Sequence, residues 1–220
     1  MPEHAETAPP PTGLITGASL NRVVSFSDGV VAVAITVLVL PLVSLGIPDG
    51  ATSPLAIITD NWSTFFSYLI TFAMVFILWQ GHHRVFGNFI AIDGPIMWLN
   101  GLWLLTIGFL PWPSRLIDVR GAGQDVVWLY CLTLCLNALI LHAIYQHGRT
   151  HRTLLKDPRA WDSWLSVSLA SSGVFAVLTV VSLAWPAITF WLLWIVIPVR
   201  FILQQDGPIA RRFYQASRRA

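Results

Sequence analysis

RVVSFSDGVVAVAITVLVLPL, residues 22–42, is the stretch that decides the fold of this chain. It has the roughly 20 mostly apolar residues that a helix needs to cross a bilayer. It also begins with Arg22 and carries Asp28 about two helical turns further on. A carboxylate at this depth costs several kcal/mol if it faces lipid without partners. We therefore expect Asp28 to face other helices of the same bundle.

The composition of the whole chain is that of a membrane protein. Of the 220 residues, 55% are hydrophobic and 11% are charged, whereas charged residues make up about 25% of an average soluble domain. The apolar stretches predict an all-α, polytopic membrane protein with six transmembrane helices. The predicted spans are residues 20–43, 61–80, 92–112, 126–147, 163–185 and 187–204.

The domain organisation follows from these spans. Residues 1–19 are rich in Pro, Ala and Thr and lack a basic segment leading into an apolar one, so we expect a disordered cytoplasmic tail and not a signal peptide. Residues 20–204 form the transmembrane domain, and residues 205–220 form a basic cytoplasmic tail. Pro186 separates the last two spans, because proline interrupts a continuous helix.

The distribution of basic residues predicts the orientation, because cytoplasmic loops retain Lys and Arg. With the N-terminus inside, only Arg115 and Arg120 lie outside. The expected location is therefore the cell membrane, with several spans and both termini cytoplasmic. The basic residues then inside are Arg22, Arg84, Arg149, Arg152, Lys156, Arg159, Arg200, Arg211, Arg212, Arg218 and Arg219.

The first span has two faces that differ in composition. At about 100° per residue, a stripe along the helix lies within about 60° of Val33. Asp28 and Ser27 lie about 140° and 120° away from it. The stripe could simply pack against apolar neighbours. Its members are Arg22, Phe26, Gly29, Val33, Thr36, Val37 and Leu40.

Several polar side chains are expected at the depth of Asp28. Indole, imidazole and amide N–H groups can donate to a carboxylate, so Asp28 is predicted to join the first helix to the second and third. Two alternatives remain open: Asp28 complements the positive end of its own helix, or the two histidines extend to the interface beside Arg84. The candidate partners are Trp79, His82, His83 and Asn100.

Three segments resemble one known family in order along the chain. Residues 22–41 resemble the first-helix signature, Arg-x3-Phe-Ser-Asp, of the prokaryotic relatives of the endosomal and lysosomal potassium channel. WQGHHRVF, residues 79–86, resembles the end of that family's second helix, and LNGLWLLTIGFLPWPS, residues 99–114, resembles its third. The resemblance covers about residues 20–115.

This resemblance implies a homotetrameric, potassium-permeable channel of leak type, with the four first helices lining a central pore. It places the hydrophobic constriction at Val33, Val37 and Leu40, and a pore-lining hydroxyl at Thr36. It also implies that the signature residues hold the helices together. Whether Arg22 faces the pore is left open. These signature residues are Arg22, Phe26, Ser27 and Asp28.

The expected permeation mechanism uses an apolar neck, because the chain has no TVGYG-like filter segment. Such a neck favours the more easily dehydrated potassium ion modestly and can close by dewetting. The family commonly carries Ile or Leu where this chain has Val33, so we expect a wider neck and weak selectivity. Expected partners are potassium, other monovalent cations, membrane lipids and further copies of the chain; we expect no nucleic acid, cofactor, resident metal or enzymatic activity.

Two other functions would also use these polar residues. A proton-coupled secondary transporter would use Asp28 and a histidine as a proton relay, but the sequence shows no internal repeat. A membrane-embedded hydrolase would use Asp28, His83 and Ser27, but no nucleophile motif accompanies them. A transporter is distinguished by saturable, coupled flux, whereas a channel passes unitary currents.

Overall fold

A computed structural model describes residues 13–45, 53–120 and 123–204. The described chain is helical apart from two very short strands. Its elements, in order, are β1 Ile15–Thr16, α1 Gly17–Val37, α2 Leu40–Val43, α3 Pro54–Asp60, α4 Trp62–Gly87, β2 Ala91–Ile92, α5 Gly94–Phe109, α6 Pro111–Arg120, α7 Gln124–Thr150, a 3₁₀ turn Arg152–Leu154, α8 Pro158–Val181 and α9 Pro186–Gln204.

Among the described residues, five helical segments are long and apolar enough to span a membrane. They are Gly17–Val43, Trp62–Gly87, Gly94–Val119, Gln124–Thr150 and Pro158–Val181. Pro186–Ile197 is a shorter apolar helix at the position of the sixth predicted span. The prediction of an all-α, multi-pass membrane protein is therefore confirmed, and the count of six spans stays a prediction.

In the structure the first helix begins at Gly17, three residues before the predicted start at residue 20. β1 and the first turn of α1 lie in residues 13–19, a segment that the sequence placed in a disordered tail. β1 pairs antiparallel with β2, and in this register Ile15 lies opposite Ile92. Gly17 has a φ of +54°, a left-handed conformation that favours glycine and lets the strand turn directly into α1. The remainder of that tail, residues 1–12, and the C-terminal tail, residues 205–220, lie outside the described residues.

Prolines set two further helix boundaries. α1 ends at Val37, and α2 resumes at Leu40, because Pro41 has no N–H to donate to the carbonyl four residues before it. The third predicted span likewise extends past residue 112 as α6, after a break at Leu110 before Pro111. The second span runs seven residues past its predicted end at 80, to Gly87.

The core is centred on α7, which packs against α4, α5, α6, α8 and α9. The α7–α8 hairpin is closed by a very short approach, in which the buried ring of Trp161 lies over Gly148. A Cβ at Gly148 would lie only 2.4 Å from Cζ2 of Trp161. Only glycine therefore allows this packing without a shift of the ring.

The end of the bundle at which α1 begins is held together by loops. Asn88 Nδ2 donates to the carbonyl oxygen of Asp157 at 3.0 Å, and the Asp157 N–H donates to Asn88 Oδ1 at 2.8 Å. The N–H of Ile90 donates to the carbonyl of Leu154 at 2.9 Å. Because β2 follows in the same loop and pairs with β1, the start of α1 is connected to the α7–α8 hairpin.

Candidate functional site: the first helix and its anchors

The two faces of α1 differ sharply in burial. Val33 is 62% exposed and Leu40 is 57% exposed in the single subunit, whereas Val31, on the opposite side of α1, is only 3% exposed. The whole predicted stripe lies on the exposed side. Its exposed members are Arg22, Phe26, Gly29, Val33, Thr36, Val37 and Leu40, and the buried residues of the opposite face are Leu20, Ser27, Val31, Ala34 and Leu38.

Leu40 lies on the same exposed side as Val33 but in a different helix. A helix continuous to Leu40 would carry this residue on the stripe by its angle alone, but the turn at residues 38–39 intervenes and Leu40 begins α2. Val33 and Val37 therefore belong to one regular helix, and Leu40 belongs to the short helix after the proline-induced break.

The hydroxyl of Thr36 is partly committed to its own helix. Its Oγ1 donates to the carbonyl oxygen of Val33 at 2.8 Å. This back-bond uses the hydroxyl hydrogen and leaves lone pairs on the oxygen as acceptors. The exposed Thr36 therefore offers an oxygen, and not a proton, to whatever faces this side of α1.

A buried chain of hydrogen bonds anchors the other face of α1. Asn100 on α5 donates through Nδ2 to Ser27 Oγ at 3.0 Å, and its Oδ1 lies 2.8 Å from His82 Nε2 on α4. Ser27 Oγ in turn donates to the carbonyl of Val23 at 2.9 Å. One asparagine thereby connects three helices. The sequence proposed Asn100 as a partner of Asp28, whereas its hydrogen bond to α1 goes to the neighbouring Ser27.

Asp28 has a separate anchor. Trp79 Nε1 on α4 donates to Asp28 Oδ1 at 2.7 Å. Asp28 lies eleven residues after the start of α1 at Gly17, about 16 Å along the axis at 1.5 Å per residue. Since the helix dipole acts mainly within the first turn, the interhelical bond explains this carboxyl group better than its own helix end does.

The two adjacent histidines occupy different environments. His82 is fully buried, and its ring stacks between Phe86 and Trp103, with centroid distances of 4.3 and 4.1 Å. His83 is exposed, with its ring 5.4 Å from that of Trp79. The contact with Trp103 was missed by the sequence analysis, because no local pattern indicates which aromatic ring faces a histidine across two helices.

A second missed contact lies at the end where α1 begins. Asp93 caps α5 by accepting from the N–H of Ile96 at 3.1 Å, and its Oδ2 lies 2.6 Å from His147 Nε2 on α7. Desolvation raises the pKa of Asp93, but the hydrogen bonds from His147 and Ile96 outweigh it, so the net pKa is lowered. The Asp-Gly-Pro sequence signals the cap, whereas nothing local to either residue signals the pairing with His147.

A third polar connection crosses the opposite end of the bundle. Thr64 Oγ1 on α4 donates to Asp118 Oδ1 on α6 at 2.5 Å. Further along α4, the hydroxyls of Thr71 and Ser114 lie 2.8 Å apart, and Tyr130 OH donates to Thr71 Oγ1 at 3.2 Å. Hydroxyl pairs of this kind join membrane helices at close range.

Comparisons with known proteins agree on one family. A profile of the family described as endosomal/lysosomal potassium channel TMEM175 matches residues 22–111. A potassium channel of Streptomyces collinus is 32% identical over 143 residues, which cover 63% of this chain and 68% of that protein. The endosomal/lysosomal proton channel TMEM175 of Danio rerio is 27% identical over 139 residues, which cover 63% of this chain and 27% of that protein.

A solved structure has the same fold. The crystal structure of a lysosomal potassium-selective channel TMEM175 homolog from Chamaesiphon minutus superposes with a TM-score of 0.75 at 20% identity. The match covers 86% of this chain and 100% of the other. With the sequence match to the Streptomyces protein, these findings show that the chain belongs to the TMEM175 family.

Proposed function

We propose that the chain forms a homotetrameric, potassium-permeable cation channel of leak type in which four copies of α1 line the pore. The observation that carries the proposal is the exposed apolar stripe on a helix whose other face is fixed by Ser27 and Asp28. The potassium-channel relatives in the same family support the choice of ion.

The proposed constriction consists of Val33, Val37 and Leu40. Four apolar side chains at one level narrow the path and make it unfavourable for a fully hydrated ion, and such a neck can also close by dewetting. The Thr36 oxygen would face the same path and replace part of the lost hydration. Because Val33 has a short side chain, we propose a wide neck with weak preference for potassium over sodium.

The buried anchors would hold α1 at a fixed rotation. Asn100 links Ser27 to His82, and Trp79 binds Asp28. Without these bonds, rotation of α1 by a few tens of degrees would turn the stripe away from the pore axis. Phe26 and Arg22 are exposed on the stripe side near the start of α1, where we place the cytoplasmic mouth.

We further propose that the protein crosses the cell membrane six times with both termini cytoplasmic. The support is the placement of Arg84 and the Arg-rich 149–159 segment at the end of the bundle where α1 begins, together with the tendency of cytoplasmic loops to retain basic residues. In this orientation the α1–α2 break and α6 lie on the outer side.

The decisive experiment is planar-bilayer recording of the purified protein in asymmetric KCl and NaCl. Wild type is compared with Val33→Ala, Leu40→Ala and the matched control Val31→Ala, which makes the same change on the buried side of α1. We expect discrete cation currents, with a reversal potential that shifts toward lower potassium preference in Val33→Ala and Leu40→Ala but not in Val31→Ala. Equal shifts in all three variants would contradict a neck on this stripe.

The transporter alternative gains no support from the geometry. Asp28 bonds to Trp79, and His82 bonds to Asn100, and an indole is a donor only and does not relay a proton. Saturable flux without unitary currents would favour that alternative. A reversal potential that follows the pH gradient and ignores the potassium gradient would assign protons as the permeant ion, as the name of the Danio rerio relative suggests for that protein.

A further inference from the structure

A cavity of about 530 Å³ lies beside the proposed constriction, between the α1–α2 break, α4 and the α5–α6 break. Its volume is in the range of sites that hold small organic ligands or parts of larger ones. Val37, Leu40 and Pro41 form the side at α1 and α2, Tyr68 and Trp112 add aromatic surface, and the polar lining residues are Ser44, Thr64, Ser67, Ser114, Arg115 and Asp118. The wall nearest α1 is thus apolar.

One end of the cavity is polar, and its electrostatics are asymmetric. The side chain of Asp118 is 8% exposed and already accepts from Thr64 and Arg115, whereas the side chain of Arg115 is 46% exposed. Arg115 uses Nη1 for Asp118, and a guanidinium carries five N–H donors. The ion pair is neutral as a whole, but Arg115 is the more accessible of its two charged groups and the one with hydrogen-bond donors beyond the pair.

We propose that this cavity binds an anionic phospholipid of the surrounding bilayer, with an acyl chain along the apolar wall and the phosphate at Arg115. Arg recognises phosphate by paired hydrogen bonds. The helices around the cavity belong to the segments that can span a membrane, and Trp112 is of the residue type enriched at membrane interfaces. An apolar wall beside an accessible Arg115 matches a lipid better than it matches a free anion.

Occupancy of this cavity would affect the neck directly. Val37 and Leu40 belong both to the cavity wall and to the stripe proposed to line the pore. An acyl chain against them would limit their rotation and the movement of the α1–α2 break. This consequence rests on the proposed function, whereas lipid binding itself does not.

A pair of glycines on α5 provides a matched test of binding. Gly108 lines the cavity, and Gly101 lies seven residues earlier, outside the lining. A Cβ at either position would meet nothing within 4 Å, so the space next to both backbones is open. Gly108→Leu would place a leucine side chain at the cavity wall and take up part of the space, and Gly101→Leu would add the same bulk elsewhere on the helix.

The readout is native mass spectrometry of the purified oligomer titrated with phosphatidylglycerol or phosphatidylcholine. We expect wild type and Gly101→Leu to retain phosphatidylglycerol preferentially, and Gly108→Leu to retain it no better than phosphatidylcholine. Arg115→Gln should lose the preference while still accepting either lipid. Equal retention of both lipids by wild type, or unchanged preference in Gly108→Leu, overturns the site, as does a cavity that takes up no lipid because a neighbouring subunit fills it.

Potassium flux from vesicles with and without phosphatidylglycerol is measured in parallel. A lipid effect on flux in wild type and Gly101→Leu, absent in Gly108→Leu, supports coupling to the neck. Preferential lipid retention in a protein that passes no ions supports the site and contradicts the proposed function, so the two failures are distinguishable.

Discussion

Trp79 Nε1 donates to Asp28 Oδ1 at 2.7 Å, and this bond fixes α4 to the face of α1 opposite the exposed stripe. Asn100 makes the corresponding connection from α5 to Ser27. Two neighbouring residues on α1 are thus held by two different helices. The signature Phe-Ser-Asp therefore acts as a pair of anchors next to an aromatic residue that stays exposed.

Trp79→Phe should destabilise the folded protein. The change removes the indole donor and leaves the half-buried Asp28 carboxyl without this partner. We expect a cost of about 0.6–1.7 kcal/mol, the range of interhelical hydrogen bonds in membranes. Thermal denaturation in detergent measures the effect. Trp98→Phe is the control, because Trp98 is 79% exposed on α5; equal losses in both variants would contradict a specific role for the bond.

Asn100→Ala should be more damaging than Ser27→Ala. The asparagine contacts both Ser27 and His82. Its removal takes the Asn100 bond from buried His82, at a cost of about 1–3 kcal/mol, and also removes the link to Ser27, which keeps its bond to the carbonyl of Val23. Ser27→Ala removes the bond between Asn100 and α1 but keeps the bond between Asn100 and His82. The comparison uses the melting temperature, and a milder effect for Asn100→Ala would show that the network is not centred on the asparagine.

Thr36→Val should lower the potassium preference without abolishing current. Valine keeps the shape of threonine but removes the oxygen that faces the proposed pore. The permeability ratio from reversal potentials in mixed KCl and NaCl measures this change. Thr59→Val is the matched control, because Thr59 on α3 makes the same type of back-bond, from Oγ1 to the carbonyl of Ala56 at 2.9 Å; a ratio altered by both variants would argue against a pore-lining oxygen.

Asp93→Asn should flatten the acid dependence of stability. The pKa of Asp93 is lowered in the folded state by His147 and Ile96 despite the opposing effect of desolvation. The stabilisation is therefore fully present above the unfolded pKa of about 4 and is lost as the pH falls through the lower folded pKa. Asparagine keeps the helix cap but does not titrate.

Melting temperatures of wild type and Asp93→Asn between about pH 3 and pH 6 test this prediction, because the titration of an aspartate falls in that range. We expect the wild-type value to drop more steeply at the acid end. His147→Gln should also reduce the slope, since it removes one cause of the lowered pKa of Asp93. Parallel curves for all three proteins would mean that this pair contributes nothing to acid stability.

Gly148→Ala should destabilise the α7–α8 hairpin. The added methyl group would lie 2.4 Å from Cζ2 of Trp161, and the buried ring must shift, at a cost of about 1–3 kcal/mol. Gly173→Ala on α8 is the control, because a Cβ there meets nothing within 4 Å and alanine is the better helix former. We expect a lower melting temperature for the first variant only, and a neutral Gly148→Ala would show that the hairpin repacks freely.

The sequence by itself determined the properties that depend on local patterns. Apolar length and sparse charge predicted membrane helices, since hydropathy needs no knowledge of neighbours. The 100° advance per residue separated the stripe of Val33 and Val37 from Ser27 and Asp28. In the structure the first two are exposed, whereas Ser27 is buried and Asp28 is half-buried. Pro41 marked the end of the first helix, although only the structure shows that a short helix follows.

Only the tertiary structure decided which polar groups meet. His82 and His83 are adjacent, so one faces inward when the other faces outward, and the rotation of α4 determines which. The same rotation places Trp79 against Asp28, and Asn100 on α5 bonds instead to Ser27. The pairing of Asp93 with His147, the strand pair formed by Ile15 and Ile92, and the cavity at Arg115 join segments distant in sequence, so they depend on how whole helices pack.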